Sequence, residues 1–223
     1  MEAAHLDTIQ VFGLETHMNW LNWLQGFAGA SPQEWIATVS GFICVYLVIK
    51  RSIWCFAFGF VQVSIYTWIF YDVKLYSDMI LHVFYIGFQI YGWFLWKGAQ
   101  DSTGRVIVNQ GTITEYSLWV VAIVVCTSLL GTIMTIYTDA SFPYPDAFTT
   151  CASLAAQWLL SHKKLLNWML WIVVDIVAIA IYWQKGLFPT SALYACFLVM
   201  AIVGQYQWYK HDTLNSKKGQ PIS

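Results

Sequence analysis

Seven apolar segments, at about residues 34–49, 52–71, 75–96, 116–137, 147–161, 166–183 and 188–209, occupy most of this 223-residue chain. A helix needs roughly 20 apolar residues to cross the hydrocarbon core of a bilayer. Seven such segments leave only short connections and ends. Charged side chains are 10% of the sequence, against about a quarter in an ordinary soluble domain, which is too few to coat a water-facing surface. The formal net charge of −1 argues against a polyanion-binding face, so no nucleic-acid partner is expected. The expected fold is an all-α integral membrane protein with seven transmembrane helices and the lipid bilayer as solvent. Segments one and five are short, and are expected to recruit flanking residues or to sit tilted.

Residues 1–33 differ in character. Trp20, Trp23, Leu24 and Phe27 recur at helical spacing with Asn19, Asn22 and Gln25 between them, the pattern of an interfacial amphipathic helix before the first span. The first ten residues carry Glu2 and Asp7 and no basic residue, unlike a secretory signal peptide. Basic residues set the orientation. Lys50, Arg51, Lys97, Arg105, Lys163, Lys164, Lys210, Lys217 and Lys218 fall on one side of a seven-span topology, and only Lys74 and Lys185 on the other. The excess of Lys and Arg marks the cytoplasmic side, which puts the C-terminus in the cytoplasm.

The chain repeats itself. A shift of 112 positions lays Leu75 on Leu187, Ile90 on Ile202, Gly92 on Gly204 and Trp96 on Trp208, with Arg51 against Lys163. Residues 34–98 and 147–210 each hold three spans, and residues 99–146 supply a loop and one linking span that restores the orientation. The expected arrangement is 3+1+3 with parallel repeats, a cytoplasmic tail at 211–223, and a site near mid-membrane between the units.

Asp175 is the informative carboxylate, since it lies in the middle of the sixth segment. A charged Asp there costs roughly 2.5–3.5 kcal/mol on insertion scales and normally faces a cavity or a partner. Asn167, Trp171 and Asp175 are spaced four apart and share one helical face. An amide, an aromatic plane and a carboxylate in one stripe suit a flat, cationic, hydroxylated ligand, the ring offering a face and the carboxylate a counter-charge. Gln157 and Trp158 on segment five, Gln62 on segment two, and Gln89 with Tyr85 on segment three could add hydrogen bonds or line the cavity; intramembrane amides also join helices where no ligand is bound. Asp78 and His82, four apart, are expected to form a local ion pair near the outer end, a proton relay being the alternative. Trp93 and Trp96 fit an interfacial belt.

Cys44, Cys55, Cys126, Cys151 and Cys196 lie singly in apolar stretches, with neither a disulfide framework nor a metal site suggested. The sequence holds no nucleotide-phosphate loop, no pair of intramembrane histidines for haem, no retinal lysine within the last span and no hydrolase motif. No cofactor and no enzymatic activity are expected. The assembly state, including a homo-oligomer, is left open.

Longer motifs carry a family resemblance. They are Glu34-Trp35-Ile36, Leu75-Tyr76-Ser77-Asp78-Met79, Gln89-Ile90-Tyr91-Gly92-Trp93 and Asp146-Ala147-Phe148-Thr149-Thr150, followed by Ala156-Gln157-Trp158-Leu159-Leu160, Asn167-Trp168-x-x-Trp171-x-x-x-Asp175 and Tyr182-x-x-Lys185-Gly186-Leu187. Over about residues 34–210 the chain resembles the PnuC-type bacterial vitamin transporters. The resemblance implies a fold related to the SWEET sugar transporters and a site in the bacterial inner membrane. It also implies facilitated diffusion of nicotinamide riboside, with trapping by cytoplasmic phosphorylation. The family pattern falls on Asn167, Trp171, Asp175, Gln157 and Gln89; where members often show a second Asn-Trp pair in segment two, this chain has Cys55-Phe56. Nicotinamide riboside and thiamine are both flat and cationic, so an aromatic-plus-carboxylate site suits either. Riboflavin is neutral and leaves Asp175 less to do. The expected order is nicotinamide riboside, thiamine, riboflavin, and the alternative of another class is a membrane-embedded sensor or scaffold.

Overall fold

The computed structural model describes residues 31–72, 74, 76–101, 103–138 and 141–217. The expected interfacial helix within residues 1–33 lies almost wholly outside the described residues. Seven helices occur among those described: α1 Pro32–Ile49, α2 Cys55–Asp72, α3 Tyr76–Lys97, α4 Ile113–Tyr137, α5 Pro143–Ser161, α6 Leu166–Gln184 and α7 Phe188–Lys217. The two short segments do recruit flanking residues. Helix α1 starts at Pro32 behind a capping box, in which Ser31 Oγ accepts from the Glu34 amide and the Glu34 carboxylate accepts from the Ser31 amide. Helix α5 starts at Pro143, whose missing N–H costs nothing in a first turn.

Among the described residues, five helices are long and apolar enough to cross a membrane: Pro32–Ile49, Asp78–Lys97, Ile113–Tyr137, Leu166–Gln184 and Phe188–Thr213. Helices α2 and α5 fall short of that hydropathy. For α5 the reason is its place, wrapped by α3, α4 and α6 with Ala147, Cys151, Ala152, Ala155, Ala156, Leu159 and Leu160 buried. A helix covered by protein needs small residues for close approach more than a greasy exterior.

Helices α1, α2 and α3 pack in succession, as do α5, α6 and α7; α3 against α5 and α1 against α7 close a ring of six. Helix α4 leans on α5 from outside, with Leu118, Val121, Val124, Leu129 and Ile133 exposed for lipid.

The 112-residue shift reappears in the backbone and the packing. Arg51 and Lys163 both take left-handed φ, 58° and 60°, as do Lys74 and Gly186 at 62° and 71°. Phe56 meets Trp96 edge-on at 4.9 Å, and Trp168 meets Trp208 edge-on at 5.5 Å. Gly92 lies under the Phe56 ring and Gly204 under Trp168, where a Cβ would collide. Two expectations need correcting here. Trp96 is not a belt residue: it has no exposure, and its indole N–H donates to Leu160 O at 3.3 Å and Ser161 O at 3.1 Å. Its counterpart Trp208, equally buried, donates to Val48 O at 3.0 Å. The ring's inside is so narrow at this end that both indoles fill it and find main-chain carbonyls rather than lipid headgroups.

The second correction concerns Asp78 and His82. They form no ion pair; His82 Nδ1 lies 2.9 Å from the Asp78 main-chain oxygen. A side chain four residues on reaches back to the carbonyl of its own turn, while Asp78 itself is exposed. The Nδ1–H therefore donates, and the imidazole sits among Tyr66, Phe70 and Tyr85.

Residues 98–101 and 103–112 form a strap across the end of the ring. It opens with a turn in which Asp101 Oδ1 accepts from the Thr103 amide, the Thr103 hydroxyl and the Arg105 amide at 2.8, 2.6 and 3.1 Å. Burial alone would raise the Asp101 carboxyl; those bonds and the nearby Arg51 charge outweigh it and hold the pKa below its ordinary value. The strap then bonds to both equivalent turns. The Val106 amide donates to Arg51 O at 3.2 Å, and the Asn109 amide to Lys163 O at 3.0 Å. The connections α1–α2, α3–α4 and α5–α6 thus share one end, with Arg51, Arg105, Lys163 and Lys164 gathered there.

Left-handed φ at a lysine carries a backbone penalty of about 1 kcal/mol that glycine escapes. Lys163→Gly is therefore expected to stabilise the protein by about 0.5–1 kcal/mol, seen as a rise in melting temperature in detergent. Arg51→Gly gains the same relief but loses the guanidinium's bonds to Val106 O and His211 Nε2, at 3.2 and 2.6 Å, and no rise is expected.

Candidate functional site

Asp175 sits on α6 with 3% of its surface exposed, between the buried Val174 and Ala178. Among the described residues it has neither an ion-pair partner nor a hydrogen bond. Tyr194 of α7 lies within electrostatic range of Asp175 and of Tyr85 of α3, and packs against Tyr182 of α6. The Tyr182 and Tyr194 rings stack at 5.3 Å with 19° between planes. Across the ring of helices, the Tyr85 hydroxyl faces Ser153 of α5, which is 7% exposed. One unpaired carboxylate, three phenols and a buried hydroxyl thus draw on α3, α5, α6 and α7, that is, on both three-helix groups.

Trp171, one turn before Asp175, is partly buried and packs against the cluster that holds Trp96, Trp168 and Trp208 as well as against Ala152, Ala155 and Val174. It forms the floor between the Asp175 group and the tryptophan-filled end. Gln89 and Gln157 are 8% and 7% exposed. Neither side chain makes a hydrogen bond to a described residue. Gln89 lies over Gly59 of α2, and Gln62 lies over Gly41 of α1, so glycines make room for both amides at helix seams.

Two of the expected residues stand away from this group. Asn167 has no exposure and its Nδ2 donates to Lys164 O at 2.6 Å, holding the turn that enters α6. Eight residues of helix put it about 12 Å from Asp175 along the axis. Its Oδ1 accepts nothing from the described residues. Trp158 is 39% exposed on the outside of the α3–α5 seam, stacked on Tyr91 at 5.6 Å and beside His162 at 4.6 Å. Gln157 faces inward, and the next residue on a helix is rotated by about 100° from it.

Sequence reasoning missed Tyr182, Tyr194 and Ser153. The signal existed. Tyr182 follows Asp175 by seven residues, on the same helical face. A shift of 112 takes Phe70, His82 and Tyr85 to Tyr182, Tyr194 and Phe197, and both trios are in ring contact. Asp175 itself corresponds to Val63, so the acid belongs to one group alone.

A family model described as nicotinamide mononucleotide transporter matches residues 31–210. The chain belongs to the nicotinamide mononucleotide transporter family. With its several apolar helices, this member of a transporter family is a multi-pass membrane protein. Among relatives within reach of the family, the nicotinamide riboside transporter PnuC of Neisseria mucosa is 30% identical over 223 residues, covering 90% of this chain and 84% of its own length. The nicotinamide riboside transporter PnuC of Escherichia coli is 25% identical over 210 residues, with 81% and 87% covered. A riboflavin/roseoflavin transporter, RibM of Streptomyces davaonensis, is 22% identical over 207 residues, with 90% and 96% covered. The crystal structure of the vitamin B3 transporter PnuC superposes with a TM-score of 0.68 at 28% identity, covering 88% of each chain.

Proposed function

We propose that this chain carries nicotinamide riboside across the bacterial inner membrane by facilitated diffusion, without chemical change. The carrying observation is Asp175, a carboxylate buried at mid-helix with no partner among the described residues. An isolated charge in that position is costly unless something neutralises it. A pyridinium cation does so, while the Trp171, Tyr182 and Tyr194 rings offer faces to a flat positive ring. Gln89 and Gln157 hold uncommitted polar atoms that suit the ribose hydroxyls and the carboxamide, and the Tyr85 and Ser153 hydroxyls, bonded to each other, can exchange that bond for one to the ligand. Asn167 supports the site from the turn below, and Trp158 has an external rather than a liganding role.

The architecture of this reading is 3+1+3, with parallel units at 34–98 and 147–210 and residues 99–146 as linker. The repeated turns, ring pairs and glycine seats at a 112-residue interval support it. Two related units around one acid rock against each other, exposing it to each side in turn. The basic residues at the strapped end support a cytoplasmic location for that end and for the C-terminus. Phosphorylation of the vitamin in the cytoplasm would keep the gradient inward.

Labelled nicotinamide riboside is expected to equilibrate across proteoliposomes without an ion gradient. Uptake wholly dependent on a proton or sodium gradient would refute the passive part of the proposal. Tryptophan-quenching titrations against nicotinamide riboside, thiamine and riboflavin test the substrate. Riboflavin has a specific claim because one relative is named for it. Tightest binding by riboflavin would overturn the choice of a cationic vitamin.

A further inference from the structure

The strapped end of the ring is sealed by bonds that run both ways between the two three-helix groups. Trp96 on α3 reaches the last turn of α5, and Trp208 on α7 reaches the last turn of α1. The donors are 112 positions apart, and so are the acceptors Val48 and Leu160. The same bond is therefore made twice, each group holding the other. The indoles are packed in by apolar side chains: Cys55, Phe56, Val106, Val108 and Trp168 share their cluster and are each 2% exposed or less.

The strap closes over this plug and ties the groups together through main chain. On one side the Val106 amide and carbonyl bond Arg51 O and the Arg51 guanidinium. On the other, the Asn109 amide donates to Lys163 O and Asn109 O accepts from the Leu165 amide, both at 3.0 Å. Two residues lie between Val106 and Asn109, and the three Cα steps reach at most about 11 Å when fully extended. The groups cannot part widely at this end while both sides of the strap hold.

We propose that the Trp96 and Trp208 indoles, with the strap at Val106–Asn109 laid over them, are the gate of this end of the transport path, and that it opens only when the reciprocal indole bonds break. The proposal rests on the transport reading for the existence of a path, but its test uses no vitamin. Cys55, 1% exposed within the plug, is a built-in reporter. In a chain whose Cys44, Cys126, Cys151 and Cys196 are changed to alanine, a membrane-impermeant maleimide reads the opening of the strapped end in proteoliposomes. Trp96→Phe and Trp208→Phe keep a ring and remove the donor. Each is expected to speed Cys55 labelling about fivefold, and the pair about twentyfold, on the scale of one hydrogen bond each. Trp183→Phe, at an exposed tryptophan, is the control and leaves the rate unchanged.

Asn109→Pro lies outside every helix and removes the strap's amide donor to Lys163 O. It is expected to raise labelling about fivefold by the same scale. An unchanged rate in the folded double variant, judged by an intact melting transition, overturns the indole gate, as does an equal acceleration by Trp183→Phe. Should the double variant not fold, an unchanged rate in Asn109→Pro overturns the gate by itself. A failed vitamin titration would leave these labelling results standing, and a failed labelling test would leave the vitamin reading untouched.

Discussion

Asp175→Asn is expected to weaken nicotinamide riboside binding by about 2–3 kcal/mol, roughly 30- to 150-fold in Kd, the scale of a hydrogen-bonded charge. The substitution keeps shape and volume, deletes the charge and exchanges one acceptor oxygen for an NH2 donor. Its effect on the empty protein should have the opposite sign. Asp175 has no partner among the described residues, so removing an uncompensated buried charge is expected to leave the melting temperature unchanged or to raise it. Titration and thermal unfolding of the same sample separate the two roles. A variant that binds normally but melts early would make Asp175 a structural residue and remove the basis of the proposed function. Nicotinamide riboside added at about the wild-type Kd should stabilise the wild-type protein and barely shift the variant, because the gain in stability is RT ln(1 + L/Kd), with L the free ligand concentration.

The second large effect is on folding. Trp96→Ala and Trp208→Ala each empty a fully buried site and leave helix-end carbonyls short of a donor. A loss of about 3–5 kcal/mol is expected for either, enough to lower the yield of monodisperse protein sharply. Trp183→Ala, at a ring with 64% of its surface exposed, is expected to cost less than about 1 kcal/mol. Fluorescence-detected size exclusion after a heating series compares the three. Equal losses would mean that Trp96 and Trp208 are belt residues after all.

Trp96 also illustrates where sequence reasoning stops. It closes an apolar segment beside a lysine, just where a belt tryptophan would sit, and nothing local separates it from Trp183. Only the crossing of α3 and α5 makes it core. Asp78 and His82 teach the same lesson at shorter range, since four-residue spacing brings the ring to either the carboxylate or the carbonyl of the turn. Trp158 and Gln157 are neighbours in sequence, yet α5 turns one outward and the other in. Conversely, Asp175 was legible because a lone acid in an apolar run is conspicuous wherever the run folds. Tyr194 was not, because a tyrosine in a membrane segment has many ordinary uses and its approach to Asp175 requires α7 to pack on α6.

The sequence by itself determined the class: apolar run lengths and scarce charge force helices into a bilayer, and a 112-residue echo already marks the turns and ring pairs that recur in the packing. Tertiary structure alone decided which aromatic rings are interior, which amides are uncommitted, and how one strap holds two equivalent turns. The physical reason is that hydropathy and period act along the chain, whereas a buried charge, a seated indole or a shared carbonyl depends on neighbours that only the closed ring of helices brings together.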